Sequence, residues 1–154
     1  MLPKEYFLTS GSGESDISPL NAFDLALTKA GIAHCNLVPV SSIIPVKAVE
    51  VKNVDIKPGS ITFVVMAEAK GTEGERISAG VAYIRPKGAM HGLVVESSGR
   101  CSRGELEDVL IEELKEMCQT RNFEFNEPRT LIEELDVKMK YGSALAALVF
   151  VPQT

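Results

Sequence analysis

The 154-residue sequence has no apolar run near the roughly 18 residues that a membrane-spanning helix needs. Its longest, Ala144 to Pro152, suits a buried strand instead. Positive charge is also short, with 16 Lys and Arg against 21 Asp and Glu and a net charge of −5. That balance argues against non-specific nucleic-acid binding, which needs a basic surface to displace counterions from phosphates. Cysteine is scarce too: Cys35, Cys101 and Cys118 are odd in number and widely spaced, with no CxxC. Such usage fits a reducing compartment rather than a disulfide framework. The two histidines, His34 and His91, have no helical i,i+4 partner, so no metal site is expected. The opening stretch MLPKEYFLTSGSG lacks the basic-then-apolar layout of a signal peptide, and the expected location is the cytoplasm.

What remains is an ordinary globular composition, 45% hydrophobic and 24% charged. A chain of this length buries roughly 68–70% of its unfolded surface as one domain, so residues 1–154 are read as a single unit. Glu5 to Thr9 reads as a first strand closed by Ser10-Gly11-Ser12-Gly13. A helix follows, with Ser18 as cap, Pro19 at its first position and Gly31 just past its end. Leu20, Phe23, Leu27 and Ala30 recur at helical spacing and are expected to face the core.

Ala33 to Val40 reads as a strand, and Ser41-Ser42-Ile43-Ile44-Pro45 as a turn. Residues 46–60 are polar and end in the turn signal Lys57-Pro58-Gly59-Ser60. Three β-rich segments follow, Ile61 to Lys70, Arg76 to Arg85 and Met90 to Ser97, the first two joined as a hairpin through Gly71-Thr72-Glu73-Gly74. Ser102-Arg103-Gly104-Glu105 matches a capping box and starts a second helix, whose stripe is Leu106, Val109, Leu110, Leu114 and Met117. Six acids on that helix read as a solvated face. Leu131 to Lys138 and Ser143 to Val151 complete the chain as strands. Two helices and six or seven strands with little β-α-β alternation make an α+β layered fold.

Three local features can carry chemistry. Ser41 and Ser42 end a strand and are hemmed in by Val38-Pro39-Val40 and Ile43-Ile44-Pro45. Taken alone this is turn chemistry, and no Gly-x-Ser-x-Gly elbow marks a hydrolase. A hydroxyl held rigidly there can, however, attack the carbonyl before it. Glu96 closes the apolar strand Gly92-Leu93-Val94-Val95; it is either a buried acid of raised pKa or an exposed strand end. Asp24, one residue past Phe23, points either to solvent or into a pocket, where a carboxylate suits a guanidinium.

Together these residues resemble the pyruvoyl-dependent arginine decarboxylase family. The likeness runs from Ser10-Gly11-Ser12 through Pro19-Leu20-Asn21-Ala22-Phe23-Asp24, Asn36-Leu37, Ser41-Ser42-Ile43 and Pro45. It continues through Ile77-Ser78-Ala79, Pro86-Lys87, Gly92-Leu93, Glu96, Cys101-Ser102 and Gly142, and so covers nearly the whole chain in order. The resemblance implies a cofactor made from the chain itself. Cleavage between Ser41 and Ser42 would leave a small β chain (1–41) and an α chain (42–154) that begins with a pyruvoyl group derived from Ser42.

It further implies decarboxylation of L-arginine to agmatine and CO2 through a Schiff base, the electron-sink role that pyridoxal phosphate plays elsewhere. Glu96 matches the family's catalytic glutamate and would return the proton. Asn36 matches a residue near the cleavage site, Asp24 the aspartate that binds the guanidinium, and Ser41 would line the pocket. The implied fold is a four-layer α-β-β-α sandwich assembled as trimers of αβ protomers, with active sites where protomers meet. Rival readings are an unprocessed homologue acting as a binding or structural subunit, and a pyruvoyl decarboxylase of another amino acid.

Overall fold

Two sheets and two helices make up the protein in a computed structural model that describes residues 1–153. The first strand, β1, runs Glu5–Ser15 and is followed by helix α1, Pro19–Ala30. Three short strands come next: β2 (Asn36–Pro39), β3 (Ile43–Pro45) and β4 (Val49–Glu50). The long strands β5 (Ile61–Thr72), β6 (Arg76–Ile84) and β7 (His91–Gly99) lead into helix α2 (Arg103–Thr120). Strands β8 (Arg129–Asp136) and β9 (Tyr141–Phe150) close the chain. Among the described residues no helix is long and apolar enough to cross a membrane.

One sheet has the order β2-β5-β9-β1-β4 and the other β3-β7-β6-β8. A core of Tyr6, Val65, Leu148 and Phe150 from the first sheet meets Ile44, Tyr83 and Val94 from the second. The opposite face of the first sheet packs Val64, Leu145, Ala147 and Val149 against Ala26 and Ala30 of α1. The opposite face of the second packs Ala82, Ile84, Leu93 and Val95 against Leu106, Leu110, Leu114 and Cys118 of α2. The molecule is thus a single small α+β domain with its sheets face to face.

Both helix starts follow the expected local chemistry. The Ser18 hydroxyl accepts the Asn21 N–H at 3.1 Å, and Gly31 ends α1 at φ 80°. Ser102 and Glu105 form the reciprocal capping box of α2.

Several expectations need correction. Ser10-Gly11-Ser12-Gly13 is not a turn but the middle of β1, which pairs with β9 from Tyr6 to Ser15. Its glycines serve packing: a Cβ at Gly11 would run into the carbonyl oxygen of Ala26, and one at Gly13 into that of Ala22. The same closeness explains why α1 turns Ala22, Ala26 and Ala30 inward, with Phe23 and Leu27 at the margin, and leaves Leu20 73% exposed. On α2, Val109 is likewise exposed while Cys118 takes the fourth buried position. Residues 33–35 lie outside β2, Ile43–Pro45 is a strand rather than part of a turn, and β5 and β6 are not a hairpin: the turn between them carries the chain from the first sheet to the second.

Candidate active site

The serine pair lies where the chain changes sheets. Val40 N–H donates to the Val64 carbonyl at 2.8 Å, extending the parallel pairing of β2 with β5 in the first sheet. Two residues on, the Ser42 carbonyl accepts the Val94 N–H at 2.9 Å, and Ile43 to Pro45 then pair antiparallel with Leu93 to His91 in the second sheet. The Ser41–Ser42 peptide therefore bridges the two sheets, anchored on each side by a hydrogen bond to a different one. Ser42 is half-buried and Ser41 exposed.

Glu96 is the acid nearest this bridge along β7. Because alternate residues of a strand share a face, Glu96 falls on the same face as Val94, whose N–H meets Ser42. The spacing from Val94 is one strand repeat, about 6.6 Å. In the isolated chain its side chain is exposed, although β7 continues three residues past it to Gly99, so it is not a strand end. Desolvation by the surrounding protein nevertheless pushes its carboxyl above the ordinary carboxylate range, and the like charge of Glu113 on α2 adds to this. Both readings of the residue hold in part: it is accessible, yet biased toward its protonated form.

Asn36 and Asp24 do not join this group within one chain. Asn36 is at the far end of β2, five extended residues or roughly 16 Å from Ser41, and its side-chain amide donates to the Gly59 carbonyl at 2.9 Å. Asp24 is exposed on α1, which covers β1 and β9 on the outer face of the first sheet. Those strands are two and three places from β2, roughly 10–14 Å before any offset along the strands. Of the five candidates, a single chain brings together Ser41, Ser42 and Glu96.

Exposed apolar residues lie close in sequence to both separated parts. Ile17, Leu20 and Leu25 are exposed beside Asp24, and Val38, Val40 and Ile43 beside the serines. Exposed apolar clusters of this kind mark interaction surfaces.

A further set of residues has no counterpart in the sequence reading. Arg85, directly after β6, donates to the carbonyls of Val46 and Ala48. Tyr83 donates its hydroxyl to Glu50 at 2.8 Å, and Arg129 pairs with the other oxygen of that carboxylate at 2.8 Å. Burial, together with Tyr6 and Glu50, holds the Tyr83 phenol far above its usual range, so it remains a donor. These contacts fasten the segment after the serine pair, and they fall in the stretch 46–60 that its polar composition marks only as a connection. A glutamate directly after Ala48 and Val49 carries no local signal for this role.

The fold and the site define a class: a two-sheet α+β domain organised around a serine–serine peptide shared between its sheets. Comparison with known proteins narrows it. The family model described as "Pyruvoyl-dependent arginine decarboxylase (PvlArgDC)" matches residues 5–154. A protein of that name from Methanopyrus kandleri is 36% identical over 150 residues, 97% of each chain. One from Thermococcus kodakarensis is 34% identical over 152 residues, covering 97% of this chain and 96% of its own. A third, from Methanococcus aeolicus, is 36% identical over 148 residues, covering 95% and 88%. The chain belongs to the pyruvoyl-dependent arginine decarboxylase family.

Proposed function

We propose that the protein is a self-processing enzyme that decarboxylates L-arginine to agmatine and CO2. The observation that carries the reading is the Ser41–Ser42 link between sheets, hydrogen-bonded on one side through Val40 and on the other through Ser42. Holding both flanks limits the motion of the link, which favours attack of the Ser42 hydroxyl on the Ser41 carbonyl carbon. That attack moves the acyl group from nitrogen to oxygen and makes an ester. Loss of the proton on Cα of residue 42 then expels the ester oxygen. Ser41 is left with a carboxylate and residue 42 as a dehydroalanine. Water converts that group to a ketone and releases ammonia. The products are a chain of residues 1–41 and a chain of residues 42–154 with a pyruvoyl N-terminus.

The residues present suit such a group: its precursor hydroxyl is Ser42, its first residues are held by β3, and a carboxyl biased toward protonation is one strand repeat from its anchor. When formed, it supplies a conjugated ketone that withdraws electrons from a bound amino acid's α-carbon. Glu96 holds a proton for return to that carbon. Asp24 takes the guanidinium in charge-assisted hydrogen bonds. Asn36 and the new carboxylate end at Ser41 line the pocket.

Because Asp24 and Asn36 stand apart from the serines in one chain, we place the complete site between copies. The apolar residues flanking Asp24 and those flanking Ser41 support that contact. The assembly is a trimer of αβ protomers, as the family resemblance implies; each protomer is a four-layer α-β-β-α sandwich, a layering supported by the separate helix–sheet and sheet–sheet cores. Three free cysteines suit a cytoplasmic enzyme.

The test is intact-mass measurement of freshly purified protein, followed by assay of CO2 release from arginine. Two chains, the larger blocked to N-terminal sequencing, together with agmatine production are expected. A folded protein that remains one chain and is inert toward arginine is instead an unprocessed homologue with a binding or structural role. A cleaved protein that ignores arginine and decarboxylates another amino acid keeps the processing and loses the substrate.

A further inference from the structure

We propose that Arg85 is a positioning residue that holds the chain just after the serine pair in register for self-cleavage and, afterwards, holds the new N-terminus. The inference rests on the self-processing reading above. Strand β3 has only three residues and lies at the edge of its sheet, where pairing with β7 is its sole ladder. Strands this short are marginal on their own pairing. Beyond β3 the chain turns at once, with Ala48 N–H donating to the Pro45 carbonyl at 3.0 Å, and crosses back to the first sheet as β4.

Arg85 grips that turn. Its Nη1 donates to the Ala48 carbonyl at 2.6 Å and to the Tyr6 hydroxyl at 3.1 Å, and its Nη2 donates to the Val46 carbonyl at 2.7 Å. The guanidinium carbon stands 5.9 Å from the centre of the buried Tyr6 ring. A planar fork with several fixed donors can take two carbonyls and a hydroxyl at once; an ammonium cannot match that geometry.

Gly92 makes room for the grip. A Cβ there would come within 3.1 Å of the Ile44 Cβ and 3.2 Å of the Arg85 Cδ. The missing side chain lets β3 and the arginine stem share one position across from β7. Before cleavage β3 is tethered at its start through Ser41 and at its end through Arg85. After cleavage the first tether is gone, and Arg85 with the β7 pairing must keep residue 42 beside Glu96.

The experiment follows two readouts in Arg85→Met, Arg85→Lys and Gly92→Ala. The first is the rate at which purified precursor splits, by intact mass. The second is amide exchange at Val94, whose N–H bonds to Ser42, with the β5–β9 amides as the control for global folding. Hydrogen bonds to a charged group are strong enough that losing them should slow splitting and speed Val94 exchange each about tenfold or more. Arg85→Lys should fall between wild type and Arg85→Met, and Gly92→Ala should shift both readouts the same way, with β5–β9 protection kept. A folded Arg85→Met that splits at the wild-type rate with Val94 protection intact overturns the inference. A wild-type protein that never splits strikes the self-processing reading, while Val94 exchange still shows whether Arg85 holds β3.

Discussion

Gly11 of β1 lies directly beneath Ala26 of α1, so close that a methyl group on the glycine would run into the alanine's carbonyl oxygen. Backbone meets backbone there, and no side chain can swing aside. Gly11→Ala should therefore push α1 off its sheet and lower stability by roughly 1–3 kcal/mol or more, as overpacking does elsewhere. Denaturant unfolding of the uncleaved Ser42→Ala background measures it cleanly. Because α1 carries Asp24, the substitution should also raise KM for arginine in the processed enzyme.

Ser42→Ala removes the attacking hydroxyl and leaves the fold untouched, since the hydrogen bond to Val94 uses the backbone carbonyl. The variant should run as a single chain on a denaturing gel while the wild type runs as two. A Ser42→Ala protein that still splits at this bond would show that another group makes the break.

The pH dependence should reveal Glu96. Desolvation and the nearby Glu113 charge raise its carboxyl, so the protonated form persists above the ordinary carboxylate range. A reaction that needs that proton is fully supported below the raised value and loses kcat/KM as pH climbs through it. Glu113→Gln removes the like charge, so the alkaline limb should move to lower pH. Glu96→Gln should still process but slow turnover about 10²–10⁴-fold, the usual reach of a positioned acid.

Asp24→Ala should weaken arginine binding by about 10²-fold if the carboxylate pairs with a desolvated guanidinium. If each site draws Asp24 from one copy and Ser42 from another, Asp24→Ala and Ser42→Ala subunits are complementary. Dissociating the two variants, mixing and reassembling them should restore part of the activity that each lacks alone. No recovery on mixing would place both residues in the same protomer's site.

Much of the fold was legible wherever local chemistry decides it. Ser18 with Gly31 and Ser102 with Glu105 announce their helices because caps act within one turn of the chain. The misreadings arise where a distant partner decides. Ser10-Gly11-Ser12-Gly13 has the composition of a turn, yet it is strand because α1 needs bare backbone beneath it. Leu20 has core spacing but faces outward because alanines, not leucines, fit the narrow gap. Ile43-Ile44-Pro45 reads as the tail of a turn because nothing local announces a partner 46 to 50 residues further on.

The candidate site divides the same way. Asn36 comes from the resemblance to a family alone, while Ser41, Ser42, Glu96 and Asp24 are also singled out locally and take their roles from the resemblance, the serines and Glu96 being marked by apolar surroundings. That Val40 and Ser42 belong to different sheets is a matter of topology, beyond any window of sequence. The grip of Arg85 on Val46 and Ala48 is equally hidden, since it joins a residue after one strand to a turn 37 to 39 positions earlier.

Strand β1 lies between β9 and β4, and both neighbours come from residues beyond 42. Once the link at 41–42 is cut, the smaller piece is woven through the larger one rather than resting on it. A denatured precursor returns by a first-order search within one molecule. The denatured mature protein must return by collision of two, at a rate set by dilution. If the proposed cleavage takes place, this arrangement requires the chain to fold before it is severed, and the severed protein has no equivalent first-order route back.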